Sequence, residues 1–408
     1  MKFNKVGQVS LLSGVALILA TAFTACNPVT IDYLYVAGSK ATPGQIQVFE
    51  VDRVTGALST IGSNLSDSIV SSGGNNPISA VPSPNGRSLF VANQASNNVV
   101  QFTIASSGLP SSPNIVPLSS EGNTPVAIAV NPGGTLLFVI NQYQPGCSTA
   151  TTGAKTCSGG ALAVFPIGSS GSIGTPVANG KLNYWPVGIN PTAVNALTNG
   201  ADVFVSTFDP NAGNGYIYSF GASSSGALTP ITGSPYFAGI KPMGITSDPT
   251  NRYVYVTDFS QNELIAYSII SGGILRPLIN GPFKTGNEPS AITIDPRGRF
   301  LYLTNELDNT VSAYNIDLPT GTPSSAVNVT GTSSNNTGTL PVGIVVDSGF
   351  GRFVYTANFI DDSVTGFQLN ASTGTLTPAQ GGPFPAVGQP TAVASIPRGN
   401  HSIETIQP

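Results

Sequence analysis

The chain has 408 residues, a formal net charge of −4 and charged side chains at only 8% of positions. With 15 Lys and Arg against 19 Asp and Glu, it has no basic footprint for nucleic-acid phosphates and no polybasic patch for anionic lipid. Its single histidine, His401, lies close to the C-terminus, which argues against a Ser-His-Asp triad and against histidine as base or metal ligand.

Residues 1–25 read as an export signal. Lys2 and Lys5 form a charged n-region, and Val9 to Phe23 is mostly apolar but too short and wrongly flanked to span a bilayer. The segment ends Phe23-Thr24-Ala25-Cys26, which resembles the lipobox of bacterial lipoproteins, although Phe23 stands where Leu is usual. That resemblance implies lipid on Cys26, hence attachment to the cell envelope. Asn27 after it implies the outer membrane, where the source has one. The alternative is an ordinary secretory signal with a chance cysteine. Residues 26–32 would be the tether, 33–396 the folded domain and 397–408 a tail.

Beyond the tether one sentence recurs, written most clearly as PSAITIDPRGRFLYLTN from Pro289 to Asn305. An alternating strand runs to Ile294, Asp295-Pro296-Arg297-Gly298 turns the chain, and a second strand ends on Asn305. Proline presets φ and glycine accepts the positive φ of a tight turn, so the segment predicts a β-hairpin. The opening prolines are Pro77, Pro125, Pro191, Pro242, Pro289, Pro341 and Pro390. A polar residue closes the second strand of each complete unit: Asn93, Asn141, Thr207, Asp258, Asn305 and Asn358. Repeats of about 45–50 residues with four short strands predict propeller blades. Pro390 heads a unit that lacks its later strands, and Tyr33–Val36, Gln45–Val51 and Ala57–Gly62 supply them from the other end. The expected fold is therefore all-β: a seven-bladed β-propeller whose C-terminal strand completes the N-terminal blade. Closure leaves no long strand edge open to aggregation.

The step from Pro125 to Pro191 is long because it carries a loop with Cys147 and Cys157. If Cys26 takes lipid, these two are an even pair in an oxidising compartment, and a disulfide is expected. Closing so short a ring contributes about 2–3 kcal/mol in the chain-entropy model. Two cysteines are too few for a metal site, and neither metal nor cofactor is expected. No GxxxxGK loop and no CxxC occur. Arg87, Arg252, Arg299 and Arg352 recur in the hairpin turns and are expected to cover strand ends with their stems. Tyr236, Phe283 and Phe384, each following a proline, are expected to plug the gaps between blades.

LFVAN, LFVIN, VYVTD, LYLTN and VYTAN, with NxV and GxLTP in order, resemble the seven-bladed lactonase family and the related YVTN-repeat propellers across about residues 33–396. The resemblance implies the fold. It also implies a set of possible activities, foremost that of the 6-phosphogluconolactonases, which hydrolyse a sugar lactone ester. Other members are muconate-lactonising enzymes, or extracellular proteins without known catalysis. Function resides in the site, so the site must decide.

Ligands of propellers bind where loops converge at one mouth of the axial channel. Those loops offer Asn93, Asn141, Asp258, Asn305 and Asn358 as ligand-binding candidates, with Trp185 placed either to stack on a sugar or to fill a gap between blades. A lactonase needs a base or activated water and a donor for the oxyanion. Glu288 or Glu306 as base, with Lys241 as the charge stabiliser, is the constellation available. On the sequence, the favoured reading is a monomeric, lipid-anchored binding module for a glycan, peptide or protein at the mouth. A lactonase, acting on a neutral sugar lactone, is the alternative, and an envelope scaffold is a third.

Overall fold

The computed structural model describes residues 29–119, 121–147, 159–326 and 334–398. Cys26, Cys157 and His401 lie outside them, as do the whole signal, residues 26–28 of the tether and residues 399–408 of the tail.

Seven antiparallel sheets stand around one axis. Blade 1 is built from Thr30–Gly38, Gln45–Asp52 and Leu58–Thr60, with Pro390–Pro397 added as its innermost strand. Blades 2 to 7 begin with innermost strands Pro77–Pro82, Asn123–Val130, Pro191–Ala196, Pro242–Ser247, Pro289–Ile294 and Pro341–Val346. The expected closure is thus present: Tyr33 pairs with Ile396 and Val36 with Val393, so the two ends of the chain share one sheet.

The repeat sets the register. Each opening proline stands opposite the residue that closes the second strand: Pro77 with Asn93, Pro125 with Asn141, Pro191 with Thr207, Pro242 with Asp258, Pro289 with Asn305 and Pro341 with Asn358. A proline lacks the N–H that a ladder would demand, and this strand-opening position tolerates that loss.

Apolar side chains gather into layers between neighbouring blades rather than into one central core. Leu136, Phe138, Val203 and Val205 form the layer between blades 3 and 4, for example, and Tyr255, Leu264, Leu301 and Leu303 the layer between blades 5 and 6. Phe283 packs against the latter, as its spacing predicts. Tyrosines on the second strands tie four of the blades to the next. The Tyr35 hydroxyl donates to Gly108 O, Tyr255 to Gly321 O, Tyr302 to Gly374 O and Tyr355 to Gly56 O, at 2.7–2.9 Å. The last of these crosses the seam between blades 7 and 1. Arg252, Arg299 and Arg352 lie over aromatic rings at the hairpin end, 5.2–5.3 Å from their centroids, which is a structural placement.

Candidate active site

The repeat builds a mouth at the end where innermost strands begin. In six blades the residue after the second strand donates its N–H to the carbonyl of the residue before the opening proline: Ser39 to Gln389, Gln94 to Asn76, Phe208 to Asn190, Phe259 to Lys241, Glu306 to Glu288 and Phe359 to Leu340. Asn76, Asn190, Glu288, Leu340 and Gln389 have φ between 45° and 58°. Asn tolerates this left-handed region, whereas Glu and Leu are strained there. Side chains two loops away hold the strained residues: Glu288 N–H donates to Asn262 Oδ1, Leu340 to Asn309 Oδ1 and Gln389 to Asp362 Oδ1, at 2.7–2.8 Å.

Two paired rings therefore face the axis, and their chemistry is not symmetric. Blades 2 to 4 present amides, joined as Asn76 Nδ2 to Gln94 Oε1 at 3.0 Å and Gln142 Nε2 to Asn190 Oδ1 at 2.5 Å. Blades 4 to 7 present Phe208, Phe259, Glu306 and Phe359, with Lys241 and Glu288 beside them. The Lys241 ammonium sits 3.9 Å from the Phe259 ring centroid and 5.8 Å from that of Phe208, a cation–π seat that holds it without a carboxylate partner. The ion pairs among the described residues are Lys40–Asp362, Arg252–Asp248 and Arg297–Asp295, so Lys241 neutralises neither Glu288 nor Glu306 by direct contact.

Glu306 reaches into an axial cavity of about 480 Å³ lined by all seven innermost strands. Burial pushes its carboxyl above the ordinary range; a hydrogen bond from Ser290 and the Lys241 charge oppose this, and the Glu288 charge reinforces it. Ser290 Oγ is 3.0 Å from Thr304 Oγ1, which in turn accepts Ala291 N–H at 3.1 Å. A hydroxyl pair thus runs from the backbone through Thr304 to Ser290, which lines the same cavity as Glu306. A half-desolvated carboxylate with a nearby cation can take a proton from water and return it to a leaving group.

The charges of Glu288 and Lys241 both act on the Glu306 carboxyl, which sets the three candidates in one part of the mouth. The other candidates do not reach the mouth. Asn93, Asn141, Asp258, Asn305 and Asn358 are at most 1% exposed, because a strand-closing side chain turns back into the loop. Asn93 Nδ2 donates to Ser72 O and Asn98 Oδ1, Asn305 binds Gly286 N–H, Thr310 and Ser312, and Asn358 binds Ser363 and Thr365. Asp258 accepts Ile240 N–H at 2.7 Å and Lys241 N–H at 3.1 Å, so it positions the backbone that carries Lys241. Gly239 packs so close to this carboxylate that a Cβ there would overlap it. Asn141 is buried with both amide atoms unpartnered. Trp185 is 5% exposed, packs in the layer between blades 3 and 4 and donates Nε1–H to Leu228 O at 3.0 Å. Of its two readings, the structure supports the gap filler. Cys147 is buried, but its pairing with Cys157 involves a residue outside those described.

The sequence reading missed Phe208, Phe259 and Phe359, although the signal was present: they stand one residue beyond the polar strand ends, on the position that turns to the axis. It also missed Ser290.

Residues 241–390 match the family model described as lactonase, 7-bladed beta-propeller, the part of the chain that carries Lys241, Glu288 and Glu306. No curated protein matches. Among solved structures, the chain is similar to the periplasmic gluconolactonase of Pseudomonas aeruginosa, with 18% identity, a TM-score of 0.71, and 90% of this chain and 99% of that one covered. It is also similar to two proteins provisionally assigned as 6-phosphogluconolactonases. The one from Bacteroides uniformis is 18% identical, with a TM-score of 0.69 and 90% and 100% covered. The one from Bacteroides fragilis is 17% identical, with a TM-score of 0.67 and 90% and 98% covered. These likenesses establish the fold, a seven-bladed β-propeller.

Proposed function

We propose that the protein is an exported hydrolase that opens a lactone at the channel mouth, with Glu306 as general base. The observation that carries this is the position of Glu306: a carboxyl with a raised pKa, beside Ser290 in the wall of an axial cavity and within the field of Lys241. In the reaction, Glu306 takes a proton from water and the water oxygen adds to the ring carbonyl carbon. The Lys241 ammonium stabilises the oxyanion. The C–O bond of the ring then breaks, and its oxygen leaves with the proton that Glu306 returns, giving a hydroxy acid.

The binding-module reading, favoured on sequence alone, gives way to its alternative, since the mouth carries acid–base groups and the similar structures bear lactonase names. A neutral lactone suits this mouth better than a phosphorylated one, because Glu288 and Glu306 outnumber the one cation beside them. Export is supported by the N-terminal pattern and by the name of the Pseudomonas aeruginosa protein, which is periplasmic. Lipid at Cys26 and a Cys147–Cys157 disulfide are part of the same proposal.

The test is hydrolysis of neutral and phosphorylated lactones against the spontaneous rate, with Glu306→Gln and Glu288→Gln in parallel. Loss of about 10²–10⁴ in rate on Glu306→Gln, typical of removing a general base, is the expected result. A flat panel would overturn the enzymatic reading and return the mouth, with its arc of amides and three phenylalanines, to glycan binding.

A further inference from the structure

The cavity beneath Glu306 is walled largely by hydrocarbon. Ile78, Val126, Ala193, Met243, Ile292 and Val342 each come from a different innermost strand and face it. Its hydroxyls are turned into the walls. Thr192 Oγ1 donates to Pro242 O at 2.8 Å and Thr391 Oγ1 to Pro77 O at 2.6 Å, in each case reaching across to the next blade. Thr257 Oγ1 caps Ser290 O at 2.8 Å, and Ser79 Oγ accepts Ile128 N–H at 3.3 Å. These contacts occupy acceptors that a sugar's hydroxyl groups would need. Only Glu306 and Ser290 keep acid–base character at the top.

The rim beside Glu306 repeats the preference. Leu307 and Ile360 follow Glu306 and Phe359 in sequence and are 62% and 60% exposed. They add apolar surface next in sequence to two residues that line the cavity. At about 480 Å³ the cavity lies within the usual range for small-molecule sites. Polar groups buried without partners are penalised, so a polyhydroxylated ring is a poor guest below the mouth, whereas an alkyl chain is a good one.

We propose that the axial cavity is a tail pocket: the substrate is a lactone bearing an alkyl or acyl chain, with its ring held at Glu306 and Lys241 and its chain threaded down the axis. The position of the ring rests on the lactone reading above, but the chain's position does not.

Two measurements on the purified protein separate them. In the first, 1-hexanol, 1-octanol and 1-decanol, which have no ester, are titrated calorimetrically into wild type and into Met243→Phe and Val342→Phe, which fill the lumen from different blades. Affinity should rise about three- to fourfold per methylene, as expected for burying hydrocarbon, and should fall in either variant. In the second, γ-butyrolactone is compared with γ-lactones of growing side chain, where kcat/KM should climb over the same lengths. Alkanol binding without turnover of any lactone would sink the lactone reading and leave the tail pocket intact. Wild type that binds alkanols with no dependence on chain length, or turns over all the lactones equally, would overturn the tail pocket. The wild-type titration needs no variant to fold.

Discussion

Asp32 and Asp347 meet across the seam where blade 7 abuts blade 1, and both are fully buried. Asp347 accepts four backbone N–H groups, from Phe350, Gly351, Arg352 and Phe353, at 2.5–3.1 Å. Asp32 accepts only Gly349 N–H, at 3.3 Å, on one oxygen, and its other oxygen is buried without a partner. A proton on this pair of carboxyls therefore belongs on Asp32. Burial pushes the Asp32 pKa well above the ordinary value, and the Asp347 charge adds to the rise. Between an unfolded-state pKa near ~3.9 and this raised value, the folded chain holds one more proton than the unfolded chain. Stability from this group is thus fully present below about pH 4 and declines by about 1.4 kcal/mol per pH unit until the native pKa is passed. In Asp32→Asn the amide replaces the protonated carboxyl, keeps an oxygen to accept from Gly349, and does not titrate. The two proteins should match near pH 4, and the variant should be the more stable by a margin that widens as pH rises. With roughly 2.1 cal/mol/K of unfolding entropy per residue over 408 residues, the margin is about 2 °C in melting temperature per pH unit. Paired thermal denaturation from pH 4 to pH 8 measures it. Parallel curves, or a variant less stable throughout, would refute a proton held on Asp32.

At the mouth, the acid limb of lactone hydrolysis should fall above the ordinary carboxylate range, because burial raises Glu306, and a rate profile against pH locates it. A raised carboxyl is a burden once ionised, its contribution being lost as pH rises through the folded value, so Glu306→Gln should melt no lower than wild type at neutral pH. Lys241→Ala should cost about 10²–10³ in kcat if the ammonium holds the oxyanion, whereas Lys241→Arg should retain part of the rate. Tyr355→Phe leaves Gly56 O without its donor and should destabilise by about 1–3 kcal/mol in urea, with Tyr302→Phe close behind.

The blade count was legible because turn chemistry and strand pattern repeat together. The opening prolines fix where each innermost strand starts, and their pairing with the strand-closing residue follows from hairpin length. Closure was legible too, since a headless N-terminal blade and a lone C-terminal strand are complementary. The strand-closing side chains were harder. Asn93, Asn305 and Asn358 sit next to a mouth by sequence, yet a loop that leaves a strand has backbone donors and acceptors to satisfy, and a short amide inside it meets them. Sequence does not show which way such a side chain turns. Trp185 was ambiguous for a related reason: an indole that finds one carbonyl, here Leu228 O, is satisfied between blades as well as on a ligand.

The position that does turn to the axis reads Ser39, Gln94, Gln142, Phe208, Phe259, Glu306, Phe359 around the ring. A seven-fold scaffold imposes the same backbone on each, so the differences among them are not required by the fold. Six of the seven could be exchanged among themselves without placing a charge on the axis; Glu306 alone does so. The residue paired with it, Glu288, adopts a left-handed φ of 56°, which suits asparagine better, and Asn76 and Asn190 show that asparagine is used there. The strain is shared with Leu340 and Gln389, so it does not single Glu288 out; what departs from the repeat is a second carboxylate beside the axial one, with Lys241 at the same position on the preceding blade, and the repeat itself gives no reason for it. Chemistry at the mouth supplies one. Replacing Glu288 by Asn should therefore relieve strain and raise stability while leaving the Glu306 carboxyl less perturbed, moving the acid limb of the rate profile to lower pH. A Glu288→Asn protein that is less stable, with an unmoved profile, would show that the departure serves the fold after all.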